Sequence, residues 1–290
     1  MAAGIRHLEF NPEKTMGFEM IAIDHHTARS KKNLAVPHRA SFYCIVWFKE
    51  GRVIHQVDFI PVKICAGSFL FIGQDAVQFF DQQHSFDAEV LIFTDNFFCQ
   101  HKFDHAFLKN LSLFNPFAHN ISPVSMIASK ELDTLWSQMQ QEWQNVQPLF
   151  KPELLKNFLY NFLLIAERKN QQGGAPSIKS DIQKGYVLLF MDLLELHFKE
   201  QQPISFYADK IAITNKVLNN AVQKVRGKTP KQIIAERIVL EAKRLLVYST
   251  DSIKVIGFAL GFKEPTNFVK FFKNNCGMPP AFFRDNYRVD

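Results

Sequence analysis

The period of the apolar positions changes along the chain, and each change marks a structural boundary. From Ala35 to about Phe98 apolar residues come in short or alternating runs: Ser41–Phe48, Val53–Ile60, Ser68–Ile72, Val77–Phe80 and Glu89–Thr94, with Lys49-Glu50-Gly51 between the first two. Alternation with turn residues between runs predicts strands, and a hairpin at Gly51. Several short strands at this spacing predict a small β-sandwich or barrel. From Ser125 to Lys169 the period becomes helical. Leu132, Leu135, Trp136, Met139 and Trp143 form one stripe, and Leu154, Leu155, Phe158, Leu159, Phe162 and Leu163 a second. Two amphipathic helices must bury these stripes, either on the barrel or in a dimer interface. Gln171–Pro176, with its Gly-Gly pair, reads as a linker. A further helix over 180–199 places Ile182, Tyr186, Leu189, Leu193 and Leu196 on one face, expected to close a core.

Beyond this helix one pattern occurs twice. Ser252–Phe262 reads as a short helix with Ile253, Ile256 and Leu260 inward and Gly261 supplying a turn at positive φ. A second helix opens at Pro265, carries Phe268, Phe271 and Phe272 on one side, and stops at Gly277 before Pro279-Pro280. The same skeleton precedes it. Ala208-x3-Ala212 matches Gly257-x3-Gly261, small residues where two short helices approach closely. Leu218, Val222, Gly227 and Pro230 match Phe268, Phe272, Gly277 and Pro280, each pair 50 residues apart. Two copies are too few for a solenoid. Two linked helix-turn-helix units fit better. Between them, Pro230 to about Val247 predicts one helix, with Ile233, Ile234, Ile238, Ala242 and Leu245 inward. Its length of roughly 27 Å approaches the ~34 Å between successive major-groove turns on one face of B-DNA.

Ser249–Ile253, Gly261-Phe262, Phe268-x2-Phe271-Phe272-Lys273 and Gly277-x-Pro279-Pro280-x3-Arg284 resemble the signature of AraC-type transcription regulators. The resemblance covers about a hundred residues. It implies a DNA-binding pair of helix-turn-helix units beside a domain that senses a small molecule or dimerises, with promoter DNA, a second copy of the chain and RNA polymerase as partners. The first unit departs from the pattern: Ala212 stands where glycine is usual, Val222 where an aromatic is, and Asn220 where a basic residue is frequent. More loosely, Val36-Pro-His-Arg-x-Ser-Phe42, Gly51, Val57-Asp-Phe59 and Ala66-Gly67 before Phe69–Ile72 resemble the cupin-like sensory domain of the same regulators. That resemblance implies a barrel holding a small effector, with His38, Arg39 and Phe42 near its mouth.

The expected fold class is therefore α+β: a cupin-like β-barrel over 1–124, a helical dimerisation segment and linker over 125–176, and an all-α domain with two helix-turn-helix units over 177–290. Composition adds little until the charge is divided. The net +6 is +7 over residues 176–290 (18 Lys and Arg, 11 Asp and Glu) and −1 over the remainder (16 against 17). A basic domain joined to a near-neutral one is the footprint of a phosphate-binding module. The 30 phenylalanines are expected to fill several small cores. No signal-peptide run or stretch of about 20 apolar residues is visible, which points to the cytoplasm.

Metal and catalytic chemistry find little support. Cys44, Cys65, Cys99 and Cys276 form neither a Cys-x-x-Cys pair nor a Cys/His zinc pattern and are expected as free thiols. Metal-dependent cupins need converging imidazoles and a carboxylate, whereas His38 is followed by Arg39 and Ala40, and 72–78 holds no histidine. His25-His26 and the i, i+4 pair His101 and His105 read as solvent-facing or hydrogen-bonded, and Cys99 near His101 lacks a nucleophile arrangement. No metal or cofactor is expected.

In a helix-turn-helix the exposed N-terminal side chains of the second helix reach base edges while basic neighbours hold phosphates. The candidate DNA-binding residues are Lys216, Asn219, Asn220 and Gln223 in the first unit, and Thr266, Asn267, Val269, Lys270 and Lys273 in the second. Asn and Gln suit adenine, Lys guanine, and Val269 a thymine methyl; Lys224, Lys228 and Lys273 suit phosphates. The leading function is a transcription factor whose barrel senses a small molecule. The alternatives are a DNA-binding regulator whose barrel serves only dimerisation, and a cupin enzyme with a helical tail.

Overall fold

The computed structural model describes residues 6–8, 16–24, 37–80, 85–114, 125–127, 129–172 and 181–287. His25, His26 and most of the predicted linker (173–176) lie outside them. The chain folds as two compact units, with the boundary between Pro176 and Ser177.

The first unit is built on nine strands among the described residues: β1 (Arg6–Leu8), β2 (Phe18–Asp24), β3 (His38–Ala40), β4 (Tyr43–Val57), β5 (Ile60–Cys65), β6 (Ser68–Ile72), β7 (Val77–Phe79), β8 (Phe86–Phe93) and β9 (Ser125–Ile127). The sheet curls about β4. The first half of β4 lies between β6 and β8, which lead on to β9 and β2. Its second half lies between β5 and β7, and β7 leads on through β3 to β1, which pairs with β3 in parallel.

The hairpin is not at Gly51. The chain runs straight through it (φ 91°) with a register shift between Phe48 and Glu50. Glycine is needed there because a Cβ would strike the Ser85 carbonyl. The reversal comes at Asp58 (φ 47°) and Phe59 (φ 68°), where Val57 pairs with Ile60. Two residues at positive φ make the tight hairpin turn whose twist matches the strands, and Asp58 anchors it by exchanging hydrogen bonds with Val77 (2.8 and 3.1 Å). Turn position is set by this docking rather than by glycine.

Alternation along β4, β6 and β8 sends side chains to two buried faces, so these strands read as almost continuous apolar runs. Cys44, Val46, Phe48, Leu70, Ile72 and Val90 line the concave interior with Val53, Val57, Val62 and Ile64. Ile45, Phe69, Phe71, Leu91 and Phe93 face outward into a larger core. There they meet α3 (Lys130–Gln144) and α4 (Lys151–Gln172), which follow two short helices, α1 (Asp95–Phe98) and α2 (Lys102–Asn110). Trp136 contacts Trp47 and Phe69, and its Nε1 donates to Glu89 on β8 at 2.6 Å. Phe162 contacts Phe69 and Phe71. Most of both predicted stripes is therefore spent within the chain, and Leu154, predicted inward, stays exposed. Phenylalanines supply many of the largest fully buried side chains in both units.

The second unit is helical: α5 (Asp181–His197), a 3-10 turn (Phe198–Glu200), α6 (Ile204–Lys210), α7 (Asn215–Arg226), α8 (Pro230–Tyr248), α9 (Ile253–Ala259), α10 (Pro265–Cys276) and α11 (Pro280–Tyr287). On α5 the structure reverses the predicted face. Val187, Phe190, Met191 and Leu194 are buried, as is Phe198 in the turn that follows, while Ile182 (69% exposed), Leu189 (51%) and Leu196 (73%) are not. Helix α8 begins with a capping box, Thr229 with Gln232, and Pro230 at its first position. It buries Ile233, Ile238 and Ala242 as expected, but Leu246 and Val247 in place of Leu245.

Candidate nucleic-acid interface

Both helix-turn-helix units are assembled by the same local devices. Helix α7 is capped by Thr214, whose hydroxyl accepts from Val217 N at 3.3 Å, and ends at Gly227 in the left-handed region (φ 67°). Helix α10 has proline in its first turn and ends at Gly277 (φ 75°). The residues between the paired helices number four in the first unit (211–214) and five in the second (260–264). That extra residue moves the repeat offset from 49 to 50. Ala212 and Gly261 occupy equivalent left-handed positions, with φ of 59° and 82°. The paired helices approach most closely at the small residues: a Cβ on Gly257 would lie 3.1 Å from Phe268 Cβ.

With Leu218 and Val222 buried on α7 and Phe268 and Phe272 on α10, the opposite faces are free. Lys216, Asn220, Gln223, Thr266, Asn267, Lys270 and Lys273 are exposed; Asn219 and Val269 are half-buried. Two of the amides are engaged within their own unit. Asn219 Nδ2 donates to Asn215 O at 2.8 Å, and Gln223 Nε2 to Gly227 O at 3.1 Å. Lys224 is exposed, but Lys228 is ion-paired with Glu236 at 2.8 Å, which offsets the charge expected to face phosphate.

The spacer α8 is also the hub of the domain, a role the sequence pattern did not disclose. Arg237 donates through Nε to both oxygens of Glu195 (2.9 and 3.0 Å), stacks on Phe198 with its guanidinium carbon 3.8 Å from the ring centre, and reaches Glu241 at 3.3 Å. Arg244 also reaches Glu241 at 3.3 Å. Three of these charges, Arg237, Glu241 and Arg244, are buried. Their i, i+3 and i, i+4 spacing was the available signal. Arg284 serves structure: Nε donates to Leu246 O (2.9 Å) and an Nη to Asp251 O (2.6 Å), tying α11 to the end of α8.

In the first unit, His38 is 2% and Phe42 8% exposed, while Arg39 is half-buried. The burial along β3 alternates, so His38 and Arg39 project to opposite sides of the strand. Sequence reasoning missed the polar groups of the interior. His55 Nε2 lies 3.0 Å from Gln78 Oε1, and the His55 ring packs against Phe48 and Phe80. Burial pushes the neighbouring Cys44 thiol up to about 12, partly offset by a hydrogen bond with Gln78, so the thiol stays protonated. The alternation Val53, His55, Val57 already placed this histidine inward.

Two short helix pairs on a shared spacer, each exposing a polar and basic recognition face, define a helix-turn-helix DNA-binding protein. Residues 207–286 match a family described as a helix-turn-helix domain. The chain is 24% identical over 257 residues to the HTH-type transcriptional activator RhaS of Pectobacterium carotovorum subsp. carotovorum (strain PC1), covering 85% of this chain and 86% of that one. It is 22% identical over 270 residues to RhaS of Yersinia pestis (strain Pestoides F), covering 89% and 92%. Among solved structures it aligns with ToxT from Vibrio cholerae at 13% identity and a TM-score of 0.45, over 94% of this chain and all of that one. The chain is a DNA-binding transcription regulator, similar over most of its length to transcriptional activators of this kind, and not a cupin enzyme with a helical tail. Among the described residues no helix is long and apolar enough to cross a membrane.

Proposed function

We propose that this regulator binds promoters in the cytoplasm through α7 and α10, as a homodimer that engages RNA polymerase, and that a small molecule in the cupin-like interior of the curled sheet sets its activity. The observation that carries the DNA reading is the exposure of Lys216, Asn220, Gln223, Thr266, Asn267 and Lys270 on faces opposite the buried core of each unit. Asn219 and Val269 complete the base-reading set, and Lys273 holds phosphate with Lys224. The interior supports an effector that is mostly apolar with one hydrogen-bonding group: its walls are aliphatic and aromatic, and its polar groups are His55, Gln78 and His38. Phe42 belongs to the rim of that site, whereas Arg39 projects from the opposite side of β3.

Binding to genomic fragments at graded salt tests the DNA reading. The logarithm of affinity is expected to fall with a slope of about −0.9 per phosphate neutralised; a slope near zero overturns it. Lys270→Ala is expected to relax preference at one base position by about 1–3 kcal/mol, whereas equal loss on every sequence would assign Lys270 to phosphate.

A second reading, in which the sheet serves association alone, is favoured by Val146 (94% exposed), Leu149 (71%) and Phe150 (63%) between α3 and α4. Thermal-shift screening with sugars, aromatic acids and other metabolites separates the two. A ligand whose shift vanishes in His55→Leu supports the sensor. No shift from any ligand, with a dimer that dissociates on Phe150→Glu, supports association.

A further inference from the structure

Three side chains capable of binding a metal meet at the end of β8, away from the sheet interior. Asp95 and Cys99 lie on either side of one turn of α1, and His105 approaches from α2; their ligand atoms all lie within 4.8 Å of one another. Asp95 and Cys99 are half-buried and His105 is exposed, so the group sits at the surface with one side open to solvent. Of the pair the sequence singled out, His101 and His105, only the second takes part. His101 instead begins α2, its backbone N–H donating to Asp104 Oδ2 at 3.2 Å, and Lys156 holds the same oxygen at 2.8 Å. Those contacts fix the start of the helix that presents His105.

The geometry points to a Zn²⁺ site formed by Asp95, Cys99 and His105, with a fourth position left open. One thiolate, one imidazole and one carboxylate are a donor set suited to a borderline-soft ion of tetrahedral preference, and three protein ligands plus an exchangeable fourth is the open form of such a site. Metal–ligand distances of about 2.0–2.3 Å place tetrahedral donors about 3.3–3.8 Å apart. From separations of up to 4.8 Å the triad therefore needs to close by about 1 Å on binding. A second feature is the support around Asp95. Gln74 Nε2, itself held by the Ser41 carbonyl at 3.1 Å, donates to its Oδ2 at 3.0 Å. Outer partners of this kind orient metal-binding carboxylates. On binding, the Cys99 thiol gives its proton to solvent and its sulfur bonds the ion as thiolate.

The test is titration of the full-length protein with Zn²⁺ against a chromophoric chelator, with Co²⁺ as a spectroscopic substitute. The expected result is one tight equivalent, and with Co²⁺ a near-ultraviolet thiolate charge-transfer band that Cys99→Ser abolishes. His105→Ala, at an exposed position, is expected to weaken binding by at least tenfold without altering the circular dichroism. Gln74→Leu should weaken it about tenfold, the size expected for loss of an outer partner. The assignment is overturned if no tight equivalent is found, or if Cys99→Ser and His105→Ala bind Zn²⁺ as tightly as the parent.

Discussion

Ala212 and Gly261 are the same turn written with different residues, and their chemistry predicts opposite responses to substitution. A left-handed backbone costs an L-residue roughly 1–2 kcal/mol relative to right-handed geometry, and glycine almost nothing. Ala212 carries that strain at φ 59°. Ala212→Gly is therefore expected to raise stability by about 0.5–1 kcal/mol, the strain relief being partly offset by the entropy glycine adds to the unfolded chain. Gly261→Ala should cost more than about 2 kcal/mol, since the new Cβ adds a collision with the Lys199 carbonyl to the same strain. Denaturant unfolding of the full chain reads both, and equal effects at the two positions would refute this account. Glycine at 261 was legible in the sequence as a turn. Its second duty, admitting the Lys199 backbone, was not, because Lys199 is 62 residues away.

Among the elements, α5 shows where a periodic pattern stops being informative. It is apolar on more than one side, so Ile182, Leu189 and Leu196 make as regular a stripe as Val187, Phe190 and Leu194. The partners choose: Phe190 meets Tyr207 edge-on at 5.4 Å, and of the predicted stripe Ile182, Leu189 and Leu196 are left outside while Tyr186 and Leu193 are half-buried. Phe190→Ala is expected to cost about 3–5 kcal/mol, while Leu189→Gln should stay within about 0.5 kcal/mol of the parent; the reverse order would restore the predicted face. Helix α8 makes a related point with charge. Removing one member of its buried network, as in Arg237→Met, takes one of its arginines from the buried Glu241 and is expected to cost about 3–5 kcal/mol. Replacing Arg237, Glu241 and Arg244 together by apolar residues of similar volume should recover much of that loss. The capping box at Thr229 and the stops at Gly227 and Gly277 were legible in advance because they depend only on neighbours in sequence.

Across the whole molecule, charge and length set the DNA-binding behaviour. The 19 residues of α8 span about 28 Å, with one helix-turn-helix unit before it and the other after it. The net +7 of residues 176–290 lies in the same domain. Combining Lys224→Ala with Lys273→Ala is expected to reduce the salt slope of DNA binding by about 2 and to weaken all sequences alike. An unchanged slope would remove both residues from the phosphate contacts.

The repeat, the caps and glycine stops, the charge division and the exposed recognition faces were determined by sequence alone, because each rests on contacts within a few residues or on composition. Several features were decided only in three dimensions: the hairpin at Asp58-Phe59, the buried face of α5, the inward pair His55 and Gln78, and the meeting of Asp95 and Cys99 with His105. The hairpin, the α5 face and the His55–Gln78 pair depend on partners distant in the chain: Val77 fixes the turn, Tyr207 the helix face, and the curl of the sheet about β4 brings Gln78 to His55. The three metal-binding side chains are close in sequence, but what aligns them is the angle between two short helices, and that is set by packing rather than by spacing.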